Sequence, residues 1–429
     1  FMIHKLEVKL KQHTPLIHFQ HDQEGATLRA SEVKPKLDKF VLTRLCNGDY
    51  KSGTDYAKTK GWLVGKGDHM ALDYKMKIVL SGEKEEFLLA SYIRRDDINV
   101  LGNQGINAIS GTSFFAQEKQ NGEVCRSRAP RDNWARIEKK GILAGNIHIT
   151  MISADIDLIE ALSTHIQTFF AATNFGTRQS KGFGCFSVLE VVLDDKIINL
   201  DDIEYLLKRV FKFVYKKQLG PNSNMSNVLS TINNDYKLLK SGRTRPYAKS
   251  KLMLYAERLN PNIGWDKKFI KANTNGQFLN ENNIPYELKC EVQHRQAAYT
   301  HKNSYIYYRA VLGLAEQFEF LLDNPPQNNP RNKMIVKVKN EEINRYQSPV
   351  IFKVSDDAIY LAGNEVSMDV LDKPFDFLVN FQNDSGYENE PVDQDNPIRT
   401  PNEFSLSEFI EFAITDNTNN ASLGYIRIE

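Results

Sequence analysis

Residues 169–188, Phe-Phe-Ala-Ala-Thr-Asn-Phe-Gly-Thr-Arg-Gln-Ser-Lys-Gly-Phe-Gly-Cys-Phe-Ser-Val, set three glycines and two cations between an amphipathic helical pattern and a strand pattern. Gly176, Gly182 and Gly184 allow positive φ and close backbone approach, so several N–H groups can converge on one anion while Arg178 and Lys181 supply charge. A helix C-cap at Gly176 followed by a polar loop accounts for the same residues, and both readings stand. The order of elements excludes two nucleotide loops. A triphosphate loop needs a Gly-Lys-Ser/Thr ending that opens a helix, and a dinucleotide fingerprint needs strand, glycines and then helix. Lys181-Gly-Phe-Gly matches the first half of the RNA-recognition-motif strand signature, which then lapses at Cys185 and Val188.

Around this loop the pattern predicts β-α-β-β-α-β over residues 3–193. Ile3–Leu10 alternates apolar and charged residues and continues toward Pro15–Phe19. A helix follows, either capped by Ser31 or starting near Lys34 with Pro35 at its first position, and buries Leu37, Phe40, Val41 and Leu45. Met70–Leu80 and Phe87–Ile93 read as a strand pair joined at Ser81-Gly-Glu-Lys. The irregular stretch 101–134, ending in Arg126, Arg128 and Arg131, reads as a long insertion. Ile147–Ile152 is a strand, Ile156–Ala172 a helix and Cys185–Leu193 a strand. That order is ferredoxin-like.

Beyond it, 203–219 and Asn233–Leu259 read as helical, Arg309–Leu322 as a further helix, and Met334–Val338 and Val350–Val354 as strands. The Asn-, Asp- and Glu-rich stretch 382–401 reads as a mobile loop. Phe409–Ile414, the polar 415–422 and the strand from Gly424 repeat the helix–loop–strand order of 169–192 without its cations. This is either a second, degenerate ferredoxin-like unit or a coincidence of two ordinary connections. The predicted fold class is α+β, with tandem ferredoxin-like (RRM-like) domains at 2–195 and 196–429 carrying long insertions.

At 429 residues, roughly two or three domains are expected. A 41% hydrophobic and 25% charged composition is that of a soluble globular protein. No apolar run approaches the ~20 residues that cross a bilayer, the amino-terminal region lacks a signal pattern, and a cytoplasmic location without membrane contact is expected. Phe1 precedes Met2 and is left out of the reading. Cys46, Cys125, Cys185 and Cys290 are widely spaced, which suggests buried thiols rather than zinc or disulfides. The net charge of +1 conceals cationic clusters at 34–44, 126–140, 178–181, 208–217 and 237–251, each of which also reads as an ordinary solvated face.

The loop Gly176-Thr-Arg-Gln-Ser-Lys-Gly-Phe-Gly, placed after the second helix of such a unit, resembles the hallmark loop of the RAMP superfamily of CRISPR-associated proteins. Ala30-Ser-Glu-Val-Lys34 resembles that superfamily's Ser-x-x-Lys helix start, with Pro35 where glycine usually follows. Arg309-Ala-Val-Leu-Gly-Leu and Arg345-Tyr-Gln-Ser-Pro-Val-Ile-Phe-Lys-Val resemble carboxy-terminal elements of the Cmr-type (type III-B) subunit near the 3′ end of the guide RNA. The resemblance implies a non-catalytic, cofactor-free subunit that binds CRISPR RNA, contributes to target RNA capture in antiviral defence, and works beside other effector subunits. On this reading the RNA-binding residues are Ser31, Lys34, Arg126, Arg128, Arg131, Gly176, Arg178, Lys181, Gly182 and Gly184. Two other readings remain. Some members of the superfamily are processing endoribonucleases, and His18 and His21 beside Asp22 would then be the acid–base residues; a stand-alone RRM-like protein is the other. His18-x-x-His21 is also half of a metal site, but without a readable third ligand no metal is expected. His294 to Arg309 interleaves cations and aromatics, which suits either stacked bases or a half-buried element.

Overall fold

The computed structural model describes residues 2–18, 27–67, 70–93, 100–103, 105, 107–110, 119–120, 123–124, 135–221, 223–244, 246–264, 266, 270, 304–314, 317–321, 333–343, 345–381, 390–391, 397–418 and 421–429. It is a mixed α+β structure that divides into two compact units: residues 1–234 with 351–363 and 425–429, and residues 235–350 with 364–424.

In the first unit the alternating apolar residues of β1 (His4–Gln12) bury Leu6, Val8 and Leu10 on one face. Helix α1 (Ala30–Leu45) and α2 (Tyr50–Thr59) follow, then β2 (Lys75–Ile93), β3 (Asn107–Ser110), β4 (Ala135–Ser153), α3 (Ile156–Ala172), β5 (Phe186–Leu193) and β6 (Lys196–Ile197). The sheet runs β6-β5-β1-β4-β2-β3. Counting β1, β2, β4 and β5 as first to fourth, its core order is 4-1-3-2, and β1 lies antiparallel to both β4 and β5. Helices α1 and α3 pack on one face, where Val33, Leu37 and Val41 meet Leu158, Leu162, Ile166 and Phe169 above Val8, Ile147, Ile149 and Met151. Phe169 contacts the rings of Phe40, Phe170 and Phe175, and Phe175 in turn contacts Phe186. Asp155 caps α3 by accepting the Leu158 N–H at 3.0 Å.

Three local expectations are corrected. Helix α1 begins at Ala30 and carries Pro35 inside it; packing of Val33 and Leu37 holds the first turn where propensity alone would have started later. Met70–Ile93 is not a hairpin. Ser81-Gly-Glu-Lys forms a bulge, with Gly82 at φ +106° and the register shifting between Ser81 and Lys84, so β2 and β4 are both 19-residue strands paired along their length. Residues 203–219 split into a short helix α4 (Ile203–Lys208) and a strand β7 (Phe213–Gln218), because β7 finds partners far away in sequence.

After β7 come α5 (Met225–Lys240), within which the unit division falls, α6 (Lys251–Leu259), β8 (Gln317–Leu321), β9 (Lys333–Lys339), β10 (Val350–Val354), β11 (Ala358–Gly363), β12 (Pro374–Phe381), α7 (Leu406–Thr415) and β13 (Ile426–Arg427). The second sheet of the first unit runs β10-β11-β7-β13, which is 4-1-3-2 again when β7, β10, β11 and β13 are counted in chain order and the sheet is read from the β13 edge. In the second unit β8, β9 and β12 form an antiparallel sheet extended by Glu390–Pro391. The helix expected over 309–322 is instead a 3-10 turn, Tyr308–Leu312, followed by β8. Most of the acidic stretch 382–401 lies outside the described residues.

Candidate nucleic-acid interface

The glycine loop is held from below by two buried side chains. Asn174 donates from Nδ2 to the carbonyls of Gln179 (2.7 Å) and Phe352 (2.9 Å). Lys353, fully buried, donates from Nζ to the carbonyls of Phe170 (2.6 Å) and Thr173 (3.2 Å) and to Asn174 Oδ1 (3.3 Å). A cation on the last carbonyls of α3 satisfies acceptors that the helix leaves open and complements its dipole. Burial lowers the Lys353 pKa to about 8, so the ammonium persists at neutral pH. The Phe352 N–H donates to Ser180 O at 3.2 Å, tying the loop to β10.

From above, the loop presses on residues 14–17. Gly176 has φ +75°, and a Cβ there would meet Ile17 O at 2.4 Å; Gly184 has φ +63°, and a Cβ would meet Phe175 O at 2.0 Å. Only glycine fits either place. The amides are engaged accordingly. Thr177 N–H donates to Ile17 O (2.8 Å), Lys181 N–H to Arg178 O (2.8 Å) and Gly184 N–H to Pro15 O (3.0 Å), while Cys185 N–H donates to Thr14 Oγ1 (2.9 Å). Gly176 N–H does point at an anion, the Glu32 carboxylate at 2.8 Å. The glycines therefore serve close packing, including the buried Gly182 at φ +76°, and positive charge is left to side chains.

Arg178 and Lys181 are half-buried at the loop surface. Arg178 sits at φ +58°, with its guanidinium 5.2 Å from the Phe183 ring. Lys36 of α1 stands 4.8 Å from the Phe175 ring and 3.4 Å from Glu32, and burial lowers its pKa. Several polar atoms here are fully enclosed yet have no hydrogen-bond partner among the described residues: Glu32 Oε2, Thr177 Oγ1 and Arg29 Nε. Such atoms are rare in folded proteins and call for an explanation.

The remaining expected residues divide. Ser31 is exposed on the first turn of α1. Lys34 turns to Asp38 Oδ2 (2.9 Å) and Leu72 O (2.8 Å), 3.8 Å from the Tyr74 ring centre. Tyr74 donates to Asp38 at 2.8 Å, and burial raises its pKa. His18 is half-buried with its ring against the Arg29 guanidinium. His21, Asp22, Arg126, Arg128 and Arg131 lie outside the described residues, as do Cys125 and Cys290; Cys46 is half-buried and Cys185 buried. No group of three metal-ligating side chains occurs among the described residues. In the second unit Tyr307 packs on Phe375 and Phe377, and Arg309 is buried against Asp266, so this part of the cation–aromatic run builds core.

Sequence reasoning missed Glu32, Asn174, Lys353 and His13. Glu32 lies in the first turn of α1, where an acidic residue ordinarily answers the helix dipole, so nothing marks it. His13 is buried between Ser187 Oγ (2.7 Å) and Asp356 Oδ1 (3.4 Å), and burial lowers its pKa to about 4.

Family models match nearly the whole chain: the Cmr1 N-terminal domain over residues 3–243 and the Cmr1 C-terminal domain over 247–426. The chain belongs to the Cmr1 family. Among solved structures, Cmr1 from Pyrococcus furiosus in its apo form matches at 11% identity over 96% of each chain, with a TM-score of 0.36. A chain of the type III-B Cmr-beta complex bound to cognate target RNA and AMPPnP in the presence of ssDNA matches at 11% identity, covering 83% of this chain and 94% of that one, TM-score 0.38. A chain of Cmr-beta bound to cognate target RNA gives 11%, 85%, 95% and 0.37 for the same measures. No curated protein matches the sequence. No helix among the described residues of this Cmr1-family chain is long and apolar enough to cross a membrane.

Proposed function

We propose that this Cmr1-family chain is a non-catalytic, RNA-binding subunit of a type III CRISPR effector complex, working in the cytoplasm beside other subunits. It holds CRISPR RNA through phosphate contacts and contributes to target RNA capture. Family membership supports the subunit role, and the observation that carries RNA binding is the glycine loop itself. Its backbone is locked against residues 14–17 and β10, leaving Arg178 and Lys181 on a rigid base beside α1. Cations on a fixed support contact phosphates without reading sequence, as a guide-binding subunit requires. On the same reading Ser31 joins this surface, and Arg126, Arg128 and Arg131, which lie outside the described residues, are further RNA-binding residues. Lys34 supports the Asp38 network and adds charge behind it. The repeated 4-1-3-2 strand order supports two ferredoxin-like domains, 2–195 and 196–429, the second degenerate.

Incubating the purified chain with single-stranded repeat RNA tests the class of function. The expected outcome is retention of RNA at full length with or without divalent metal. Metal-independent shortening, abolished by His18→Ala or His21→Ala, would instead make the chain a processing endoribonuclease. RNA binding without co-purification of any effector subunit from the native source would favour the stand-alone protein.

A further inference from the structure

Two stretches that the proposed phosphate contacts leave unused, the one ending at Leu314 and the one beginning at Arg345, meet in the second unit, where the Leu314 N–H donates to Tyr346 O at 2.9 Å. The residues held there line a cavity of about 620 Å³, within the range of small-molecule sites. Ile343, Arg345 and Tyr346 form one part of its lining, and Asp369, Val370 and Lys373 form the other, on and after the 3-10 turn Met368–Val370. Both parts are fixed from behind. Asn340 Oδ1 accepts the N–H groups of Glu342 (2.8 Å) and Ile343 (2.6 Å), and its Nδ2 donates to Pro374 O (2.7 Å). The Asp372 N–H donates to Pro401 O (3.0 Å) and the Lys373 N–H to Thr400 Oγ1 (2.8 Å). Tyr346 bridges the two parts: its backbone is tied to Leu314 and its hydroxyl accepts the Ser367 N–H at 3.2 Å, so the ring spans from one to the other. Burial raises its pKa, and the phenol stays uncharged. Among the charged lining residues, Lys373 pairs with Glu342, and Asp369 Oδ2 accepts from Ser367 Oγ at 3.0 Å, whereas the exposed Arg345 has no partner among the described residues. An aromatic ring, a guanidinium without a counter-ion and nearby carboxylates together suit one nucleotide. A base stacks on an aromatic face, a phosphate pairs with a guanidinium, and amino or hydroxyl groups donate to carboxylates.

We propose that this cavity binds one nucleotide, with the base against Tyr346 and the phosphate on Arg345, either as a free ribonucleotide or as one residue of a single-stranded RNA. The site lies in the second unit and shares no residue with the glycine loop, so it adds a base contact to the phosphate contacts proposed there.

The test uses the full-length chain with UMP, AMP and a single-stranded RNA carrying 5-iodouridine, whose base cross-links under ultraviolet light to an aromatic side chain on which it stacks. Mass spectrometry of the digested adduct should place the link on the peptide that holds Tyr346. Tyr346→Leu should weaken binding by roughly 5- to 100-fold, the range for one stacked base, without changing the dependence of log RNA affinity on log salt. Arg345→Ala should flatten that dependence by ~0.7 and leave the link in place. Tyr346→Phe keeps the ring and should bind as the wild type does, which separates the stack from the hydroxyl's bond to Ser367; the link on the wild type reads the contact even if Tyr346→Leu misfolds. Tighter binding of the RNA than of either mononucleotide makes a residue of the strand the occupant, and the reverse makes it a free nucleotide; both uphold the site. No link on this peptide, with affinities unchanged in Tyr346→Leu and Arg345→Ala, overturns it, and leaves the RNA-binding reading intact if Arg178→Ala/Lys181→Ala still weakens RNA. A link that persists while that loop variant binds RNA as tightly as the wild type upholds the cavity and removes the loop. Loss of a co-purifying effector subunit from Tyr346→Leu, with RNA and nucleotide binding unchanged, assigns the cavity to a protein contact and likewise overturns the nucleotide.

Discussion

His13 illustrates how one buried residue links sequence position to a measurable property. It follows β1, where alternation ends, and sits between Ser187 and Asp356 with Lys11 and Lys353 adding positive charge nearby. Burial is the largest influence, ahead of the attraction of Asp356, which is itself mostly exposed, and takes the pKa to about 4. Above the unfolded value of about 6.5 the imidazole is neutral in both states. As pH falls below that, the unfolded chain takes the proton first, so stability is lost progressively down to about pH 4, on the order of 3 kcal/mol for a shift of this size. Urea midpoints measured from pH 7.5 to 4 should fall more steeply for the wild type than for His13→Gln, and parallel profiles would show that His13 does not drive the difference. The same scale explains why the loop glycines are ambiguous in sequence. Positive φ at Gly176 and Gly184 serves close approach to the Ile17 and Phe175 carbonyls, and sequence alone cannot tell close approach to protein backbone from close approach to an anion.

At the scale of elements, Lys353 is the strut on which the loop depends. It reaches from β10 to the last turn of α3, and Lys353→Met leaves the Phe170 and Thr173 carbonyls buried without their donor. We expect a loss of about 2–4 kcal/mol, read as a lower urea midpoint, together with faster amide exchange at Thr177 and Gly184; an unchanged midpoint and unchanged exchange would show that the loop is supported elsewhere. Elements with a strong local period were legible: β1 from its alternation, and α3 at the residues where Asp155 caps it and Thr173 ends it. Those settled by distant partners were not. Phe213–Gln218 follows a short helix closely enough to read as its continuation, and only pairing with Ala358–Gly363 and Ile426–Arg427 makes it a strand. The bulge at Gly82 reads as a hairpin turn until β4 is seen to run past it unbroken.

For the whole molecule, the net charge of +1 says little, because function depends on where a few cations are held rather than on their sum. Of the cations expected to meet RNA, Lys34 is spent largely on Asp38, whereas Arg178 and Lys181 occupy a loop fixed by both neighbouring strands and helices. The resemblance identified the family, and the partnership of Lys34 and Asp38 escaped it because the network that turns Lys34 inward comes from Leu72 and Tyr74, over thirty residues away in sequence. Binding of RNA phosphates by this loop through charge is the proposal on which the RNA-binding reading depends. The most direct measurement is the affinity of wild-type chain and Arg178→Ala/Lys181→Ala for single-stranded RNA across a salt series, with circular dichroism confirming that both are folded. The variant is expected to bind more weakly at low salt and to give a plot of log affinity against log salt flatter by ~0.7 for each phosphate that it no longer neutralises, about 1.4 in all. The same affinity and the same slope in a folded variant would contradict it.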